Sequence, residues 1–189
     1  YLNFNTKENE VVEVQIGVSF VSIANARENL NAEQKGKDFN AITQEARQKW
    51  NADLKRIEVE GGTKDQQTIF YTALYHTLIH PNILQDVNGD YPAMESNKVL
   101  KQHEGNRYTV FSLWDTYRNL HQLMTLLYPN RQRDMVKTMI SMYDECGWLP
   151  KWELNSTETF TMVGDPASIV LADTYLRGLT DFDIQTAYE

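Results

Sequence analysis

Apolar positions along the chain change period once. In VVEVQIGVSFVSI (residues 11–23), Val12, Val14, Ile16, Val18 and Phe20 recur every second residue, the period of a β-strand. Gly17 inside that run points to a bulge or a close packing contact. Beyond it the spacing becomes three and four, which predicts helix after helix. Phe39, Ile42, Ala46, Trp50, Leu54 and Ile57 form one stripe with a charged opposite face, with Asn31 as the expected cap and Gly61-Gly62 as the stop. Thr63 opens a second helix with a stripe of Ile69, Phe70, Ala73, Leu74, Thr77 and Leu78, ended by Pro81. Residues 82–110 read as loop with short strands; Asn88-Gly89 is a turn signal, and RYTVF (107–111) is a short strand candidate.

A third helix is predicted from about residue 113 to Leu127, closed by Pro129. RQRDMVKTMISMYDEC follows as a fourth, with Met135, Val136, Met139, Ile140, Met142, Tyr143 and Cys146 on one side and Gly147 as its C-terminal cap. WLPKWELNSTETFTMVG reads as irregular and aromatic. DPASIVLADTYLRG is a compact helix with Asp165 as N-cap, Pro166 at the first helical position and Gly178 past the end. Thr180 or Asp181 is expected to cap a last helix. The sum is a mainly α chain, and antiparallel helices joined by short loops suit an α/α toroid or bundle. No internal repeat is visible.

Composition narrows the function classes. The net charge of −8 and pI near 5.0 argue against nucleic acid and against an anionic membrane surface, both of which want clustered Lys and Arg. No apolar run is long enough to span a bilayer. The 41% of hydrophobic residues is enough for one domain or part of a larger one. Cys146 is the single cysteine, so neither an intrachain disulfide nor an all-cysteine metal site can form; it reads as a small core residue. The chain opens without an initiator Met or a signal-like segment and ends in the first turns of a predicted helix. It is therefore expected to be a piece of a longer polypeptide.

Few motifs carry chemistry. His76 and His80 stand four apart in HTLIH, as two metal ligands on one helix face would. Thr77 sits where a zinc protease needs Glu, so edge-of-core histidines are the expected reading. No phosphate loop, serine elbow or Cys-His nucleophile pattern is present. What remains are acids and tryptophans in loops: Trp114-Asp115, Trp148, Trp152-Glu153, Glu158 and Asp165. Sugar sites use both types, since apolar sugar faces stack on aromatic rings and hydroxyls donate to fixed carboxylates; glycoside hydrolysis adds a paired acid and base. The alternative for Trp152-Glu153 is a packed Trp beside a surface Glu. Asn155-Ser156-Thr157 fits the N-glycosylation pattern, which has meaning only in a eukaryotic secretory protein. Asp173, in an apolar helix turn, is expected to be buried with a hydrogen-bonding partner.

Asp115 is the least settled of these. Ser112 stands three residues before it, the spacing of a capping box, so Ser112 is expected to cap a helix whose first turn keeps the Asp115 carboxylate ionised and free to accept from a ligand.

Five segments together resemble glycoside hydrolase family 92, the exo-acting α-mannosidases: IGVSFVSIANARENL (16–30), FYTALYHTLIHPN (70–82), YTVFSLWDTYRNLHQLMTLLYP (108–129), GWLPKWEL (147–154) and MVGDPASIVLADTYLRG (162–178). The resemblance implies an N-terminal β-sandwich, linking helices and an (α/α)6 barrel. Residues 1–26 would be the end of the sandwich, with a remnant strand. Residues 27–62 would be a helical linker, and residues 63–189 the opening helices of the barrel. It also implies an inverting, calcium-dependent hydrolysis of α-mannosidic bonds, α-1,2 foremost, in mannose-rich glycans, with Ca2+ holding the sugar O2 and O3. Export to the periplasm or outside the cell is implied too.

The family's acid motif, Asn-Glu-Asp-x-Gly-Gln-Met-Ser-Ala-Trp, and its later Asp-containing base loop are absent from this sequence. No catalytic residue and no calcium ligand is therefore carried over. Trp114 and Asp115 match the motif that contacts the terminal mannose; Glu153 and Asp165 are further substrate-binding candidates on the same rim. The family's His-Pro is His121-Gln122 here, a departure expected to touch helix packing. The expected partners are a mannose-containing glycan and the remainder of the same polypeptide, and the chain alone is expected to be inactive. The competing reading is a non-catalytic sugar-binding or interaction module.

Overall fold

The computed structural model describes residues 1–189. Helices dominate: α1 (Ile23–Gln34), α2 (Phe39–Leu54), α3 (Lys64–His76), then after short strands α4 (Leu113–Thr116), α5 (Leu120–Leu127), α6 (Pro129–Cys146), α7 (Pro166–Leu176) and α8 (Ile184–Tyr188). The strands are β1 (Asn82–Ile83), β2 (Asp90–Pro92), β3 (Val99–Lys101), β4 (Tyr108–Thr109), β5 (Phe111–Ser112), β6 (Trp152–Leu154) and β7 (Thr157–Glu158). They make three small antiparallel sheets: β1 with β4, β2 with β3, and β5-β6-β7.

The remnant strand expected at 11–23 is not a strand. An isolated strand has no ladder to hydrogen-bond into, and the alternating Val12, Val14, Ile16, Val18 and Phe20 are all exposed. The segment lies along α1 instead, its carbonyls taken by side-chain amides: Asn29 Nδ2 donates to Val18 O at 2.8 Å and Gln34 Nε2 to Ile16 O at 3.3 Å. Gly17 is the close packing contact, because a Cβ there would stand 2.1 Å from Ala26 O.

The long helix expected from Asn31 is two helices. Ser22 caps α1 nine residues earlier than Asn31 would, Gly36 turns the chain at φ 77°, and Asp38 caps α2. No residue of α2 is buried. Thr63 does open α3, through a reciprocal capping box with Gln66. A second latch fixes α1 to the loop before β2: the buried Asp86 carboxylate accepts from Ser19 Oγ at 2.7 Å, Asn25 Nδ2 at 2.9 Å and Asn29 Nδ2 at 2.6 Å. Asn88-Gly89 turns the chain just ahead of β2, not between β2 and β3. The predicted short strand at 107–111 is split into β4 and β5 by Val110 at φ 64°.

The core gathers on α6. Met135, Met139 and Met142 pack with Met94, Tyr108, Phe111, Leu113, Ala167 and Val170, and Val136 and Ile140 meet Leu171 on α7. Fully burying each such side chain contributes roughly 1.5–3 kcal/mol. Cys146 packs at the edge of this cluster as a free thiol. The predicted stripe of α6 and its Gly147 cap, at φ 89°, are as expected. One buried ion pair locks the strands to this helix. Arg107, 0% exposed, forms a fork with Glu145 at 2.8 and 3.0 Å and lies 4.5 Å over the Tyr91 ring. Glu145 also accepts from Tyr91 OH at 3.1 Å and Met94 N at 2.6 Å, tying the β2–β3 hairpin down.

Three further expectations change. The single helix from 113 to Leu127 is broken at residues 117–119 into α4 and α5. The irregular aromatic stretch holds the β6–β7 hairpin. Asp183, not Thr180 or Asp181, caps α8, accepting from Thr186 N at 3.1 Å.

Candidate functional site

Loops and strand ends meet at one end of α7. β5 pairs with β6, so Ser112 faces Trp152 across the sheet, and Leu113 N donates to Lys151 O at 3.0 Å. The chain then turns into α4, which sets Trp114 and Asp115 beside α7. Trp114 is half-buried. Its ring lies under the Arg118 guanidinium, 5.0 Å away, and tilts against Tyr117 at 5.9 Å. Gly164 abuts the ring, its Cβ position 3.8 Å from Trp114 Cζ3, and this brings the loop that carries Asp165 against the indole.

Asp115 is exposed, and the expected capping box does not form. Ser112 makes no side-chain cap; its hydroxyl instead donates to Asp115 Oδ2 at 2.5 Å. α4 is one turn long. What remains is a carboxylate with one oxygen oriented by Ser112 and the other free to accept, beside an aromatic face. Such a pair can take a sugar hydroxyl and shield the adjoining C–H face.

Glu153 lies elsewhere than the rim. It is 0% exposed, and its oxygens accept from Thr109 Oγ1 at 2.8 Å, from Val110 N at 3.0 Å and from the Ser156 amide. Burial raises its carboxyl pKa above the ordinary value, against the pull of those donors. It clamps the backbone beneath the rim: Val110 and Ser156 both sit in the left-handed region, at φ 64° and 67°. The surface reading of this Glu is likewise corrected, while its neighbour Trp152 is half-buried. Glu158 plays a parallel part in β7, accepting from Lys151 N at 2.7 Å and Trp152 N at 3.1 Å. Glu95 accepts from Glu158 N at 2.6 Å.

Asp165 is exposed. It does not cap α7 with its side chain but accepts from Ser168 Oγ at 2.5 Å. With Trp148 and Lys151 it lines an open cavity of about 390 Å³ to which the end of α8 also contributes; Trp114 and Asp115 do not line that cavity. The structure thus sets the loop of Gly164 against Trp114, leaves Asp115 and Asp165 exposed, and buries Glu153.

His76 and His80 are both exposed, and His80 lies past the end of α3, bonded through Nδ1 to Asn82 Oδ1 at 3.0 Å. No three His, Cys, Asp or Glu side chains converge as a metal site. Calcium takes six to eight oxygens, so this chain's residues do not by themselves fit the expected Ca2+. Asp173 is half-buried rather than buried, paired with Arg177 Nε at 2.7 Å.

The sequence reading missed a buried polar row behind α4. His121, 1% exposed, bonds through Nε2 to Thr116 Oγ1 at 3.0 Å and through Nδ1 to Gln132 Oε1 at 3.0 Å. Gln132 Nε2 donates to Thr174 Oγ1 at 2.9 Å. Burial pushes the His121 pKa down to about 4. A histidine on the apolar face that also carries Met124 was the signal available.

Comparison with known proteins places these residues among relatives. Residues 25–189 match the model of the glycosyl hydrolase family 92 catalytic domain. A family GH92 α-mannosidase from Bacteroides thetaiotaomicron superposes with TM-score 0.84 at 35% identity, over 90% of this chain and 23% of its own. The same match holds for its complex with mannoimidazole, over 22% of that chain. A GH92 inverting mannosidase of the same bacterium gives TM-score 0.83 at 34% identity, over 89% of this chain and 23% of its own. A protein from Arthroderma benhamiae described as an uncharacterized secreted glycosidase is 28% identical over 100% of this chain. The chain spans 21% of that curated relative's length.

Proposed function

Since the chain belongs to glycosyl hydrolase family 92, we propose that it supplies part of the sugar-holding wall of an exo-α-mannosidase. The observation that carries this is the exposed Asp115 carboxylate, oriented by Ser112 beside the Trp114 ring, in a fold shared with α-mannosidases. Asp115 accepts hydrogen bonds from hydroxyls of the terminal mannose, Trp114 shapes the pocket wall, and Asp165 borders the same rim. Glu153 contributes by holding the backbone that carries them.

In this reading the general acid and base, and the Ca2+ ligands, come from other segments of a longer polypeptide, because this sequence holds neither family motif and no cluster of three such ligands. The reaction is inverting hydrolysis of α-mannosidic bonds, α-1,2 foremost, in mannose-rich glycans such as N-glycans. A base-activated water attacks one face of the anomeric carbon as the acid protonates the leaving oxygen on the other. Residues 1–26, 27–62 and 63–189 serve as the end of a β-sandwich, a linker and the opening of an (α/α)6 barrel. Export is supported by the relative described as secreted; no helix here is long and apolar enough to cross a membrane.

The test is hydrolysis of small α-mannosides by the polypeptide that carries this chain, with and without thorough calcium chelation, and with Asp115→Asn. Loss of a charged acceptor should weaken substrate binding by roughly 1.5–3 kcal/mol, about tenfold to a hundredfold in KM. Near-normal KM in Asp115→Asn would remove Asp115 from the site. Activity that survives chelation would remove calcium. Mannose binding without hydrolysis would favour the sugar-binding module.

A further inference from the structure

α4 has no cap of its own. Ser112 turns its hydroxyl to Asp115, and the next helix begins at Asn119 with no side-chain cap and a φ of −156°. Tyr117 N still closes on Leu113 O at 2.9 Å and Leu123 N on Asn119 O at 3.0 Å, so the two helices meet at a turn over residues 117–119, immediately after the residues read above as the sugar wall. Two side chains from α5 reach back across this break. Gln122 Nε2 donates to Tyr117 O at 3.0 Å, and His121 Nε2 meets Thr116 Oγ1 at 3.0 Å.

The second contact has a direction. Gln132 spends its amide N–H on Thr174 Oγ1, so it presents Oε1 to His121, and an acceptor there requires a proton on His121 Nδ1. A neutral ring carries one proton, which leaves Nε2 as an acceptor, and the Thr116 hydroxyl must donate to it. All four side chains are uncharged, and three of them, His121, Gln132 and Thr174, are at least 99% buried, so the row has no water to fall back on. It runs one way, from α4 through α5 and α6 to α7, the helix that also packs against α4.

We infer that His121, fixed as the Nδ1–H tautomer by Gln132, is a positioning residue that holds α4 through the Thr116 hydroxyl and so sets where Trp114 and Asp115 stand. Its functional meaning rests on the proposed reading of Asp115; the positioning itself does not.

The test separates the two. Long-range proton–nitrogen correlation of the histidine ring in the chain at pH 7 should show the His121 proton on Nδ1; a proton on Nε2 overturns the inference. Thr116→Val is close in shape and removes only the donor. It should move the Trp114 indole cross-peak while those of Trp50, Trp148 and Trp152 stay in place. His121→Gln keeps an oxygen where Nε2 accepts and should leave the Trp114 peak at its native position. His121→Asn keeps only the donor toward Gln132 and should move it. An unmoved Trp114 peak in Thr116→Val, or the reverse order of Gln and Asn, overturns the positioning role. These peaks are read without sugar, so their outcome is independent of mannose binding. In the polypeptide assayed above, Thr116→Val should raise KM for an α-mannoside about tenfold with kcat within a factor of about three, as 1.4 kcal/mol of lost binding would. A fall in kcat with KM unchanged would overturn it.

Discussion

Glu153→Gln separates a clamp from a ligand contact. The side chain is 0% exposed, and its two oxygens accept three hydrogen bonds, from Thr109 Oγ1, Val110 N and the Ser156 amide. Glutamine keeps the shape but replaces one oxygen with an N–H2 group. Whichever way it is turned, a donor then faces a buried donor, either Val110 N–H or the Thr109 and Ser156 pair. A buried donor left unmade costs about 1–3 kcal/mol. Two terms oppose this. The neutral side chain no longer bears the burial of a charge, which in the native chain raises the carboxyl pKa. Val110 and Ser156 can also relax from φ 64° and 67°, conformations that each store about 1–3 kcal/mol in a non-glycine residue. The net is a loss of roughly 1–2 kcal/mol, a fall in Tm of about 2–8 °C for a domain of this size. Thermal melting followed by circular dichroism reads it. Sugar affinity should fall with it, because β5 and β6 carry the rim. A Glu153→Gln variant with unchanged Tm and abolished mannose binding would refute the clamp and return Glu153 to the sugar.

Arg107→Met should cost more, about 3–5 kcal/mol by chemical denaturation, since it leaves Glu145 as an unpaired buried charge; Arg107→Lys should recover little, because a single ammonium cannot make the fork. His121 gives a pH signature. Its folded pKa, about 4, lies below the ordinary 6.5, so the folded state resists the proton. The corresponding stability is complete above pH 6.5 and is lost as pH falls toward 4. Asp173 of α7 is the charged neighbour that partly offsets it. At about 1.4 kcal/mol per pH unit the full loss is about 3 kcal/mol. Denaturation at pH 7 and 4.5 should show it in the native chain and not in His121→Gln; equal slopes would exclude His121 as the source. The isolated 189-residue chain should also elute as associated species well above 22.0 kDa, because Val14, Ile16, Val18, Phe20 and Phe39 are more than half exposed and α2 buries nothing. A sharp monomer peak would contradict that.

What was readable in the sequence depended on whether a local signal had its partner nearby. The stripe of α6, the helix start at Thr63 and the Gly147 cap depend on residues within a turn or two, and all three form. The strand at 11–23 depended on a ladder partner. No backbone within residues 1–189 pairs with it, so the alternation survives as an exposed apolar face on α1. The helix from 113 to Leu127 had continuous apolar spacing, yet it breaks at 117–119. Periodicity records which face is buried; it does not record that Thr116 and Tyr117 O find partners in His121 and Gln122 across a gap.

The candidate site shows the same division. Residue type in a loop pointed to Trp114, Asp115, Glu153 and Asp165 alike, but exposure sorts them. A carboxylate next to a tryptophan is available to a ligand only if backbone amides have not already claimed it. Around Glu153 the β5–β6 pairing brings Val110 and Ser156 N–H groups inward, and left-handed backbone at both positions turns them onto its oxygens. Around Asp115 the chain enters a one-turn helix, and only a serine hydroxyl competes. Asp115, in the first turn of a short helix, is therefore left open, and Glu153, expected on the rim, is claimed by the backbone of the sheet.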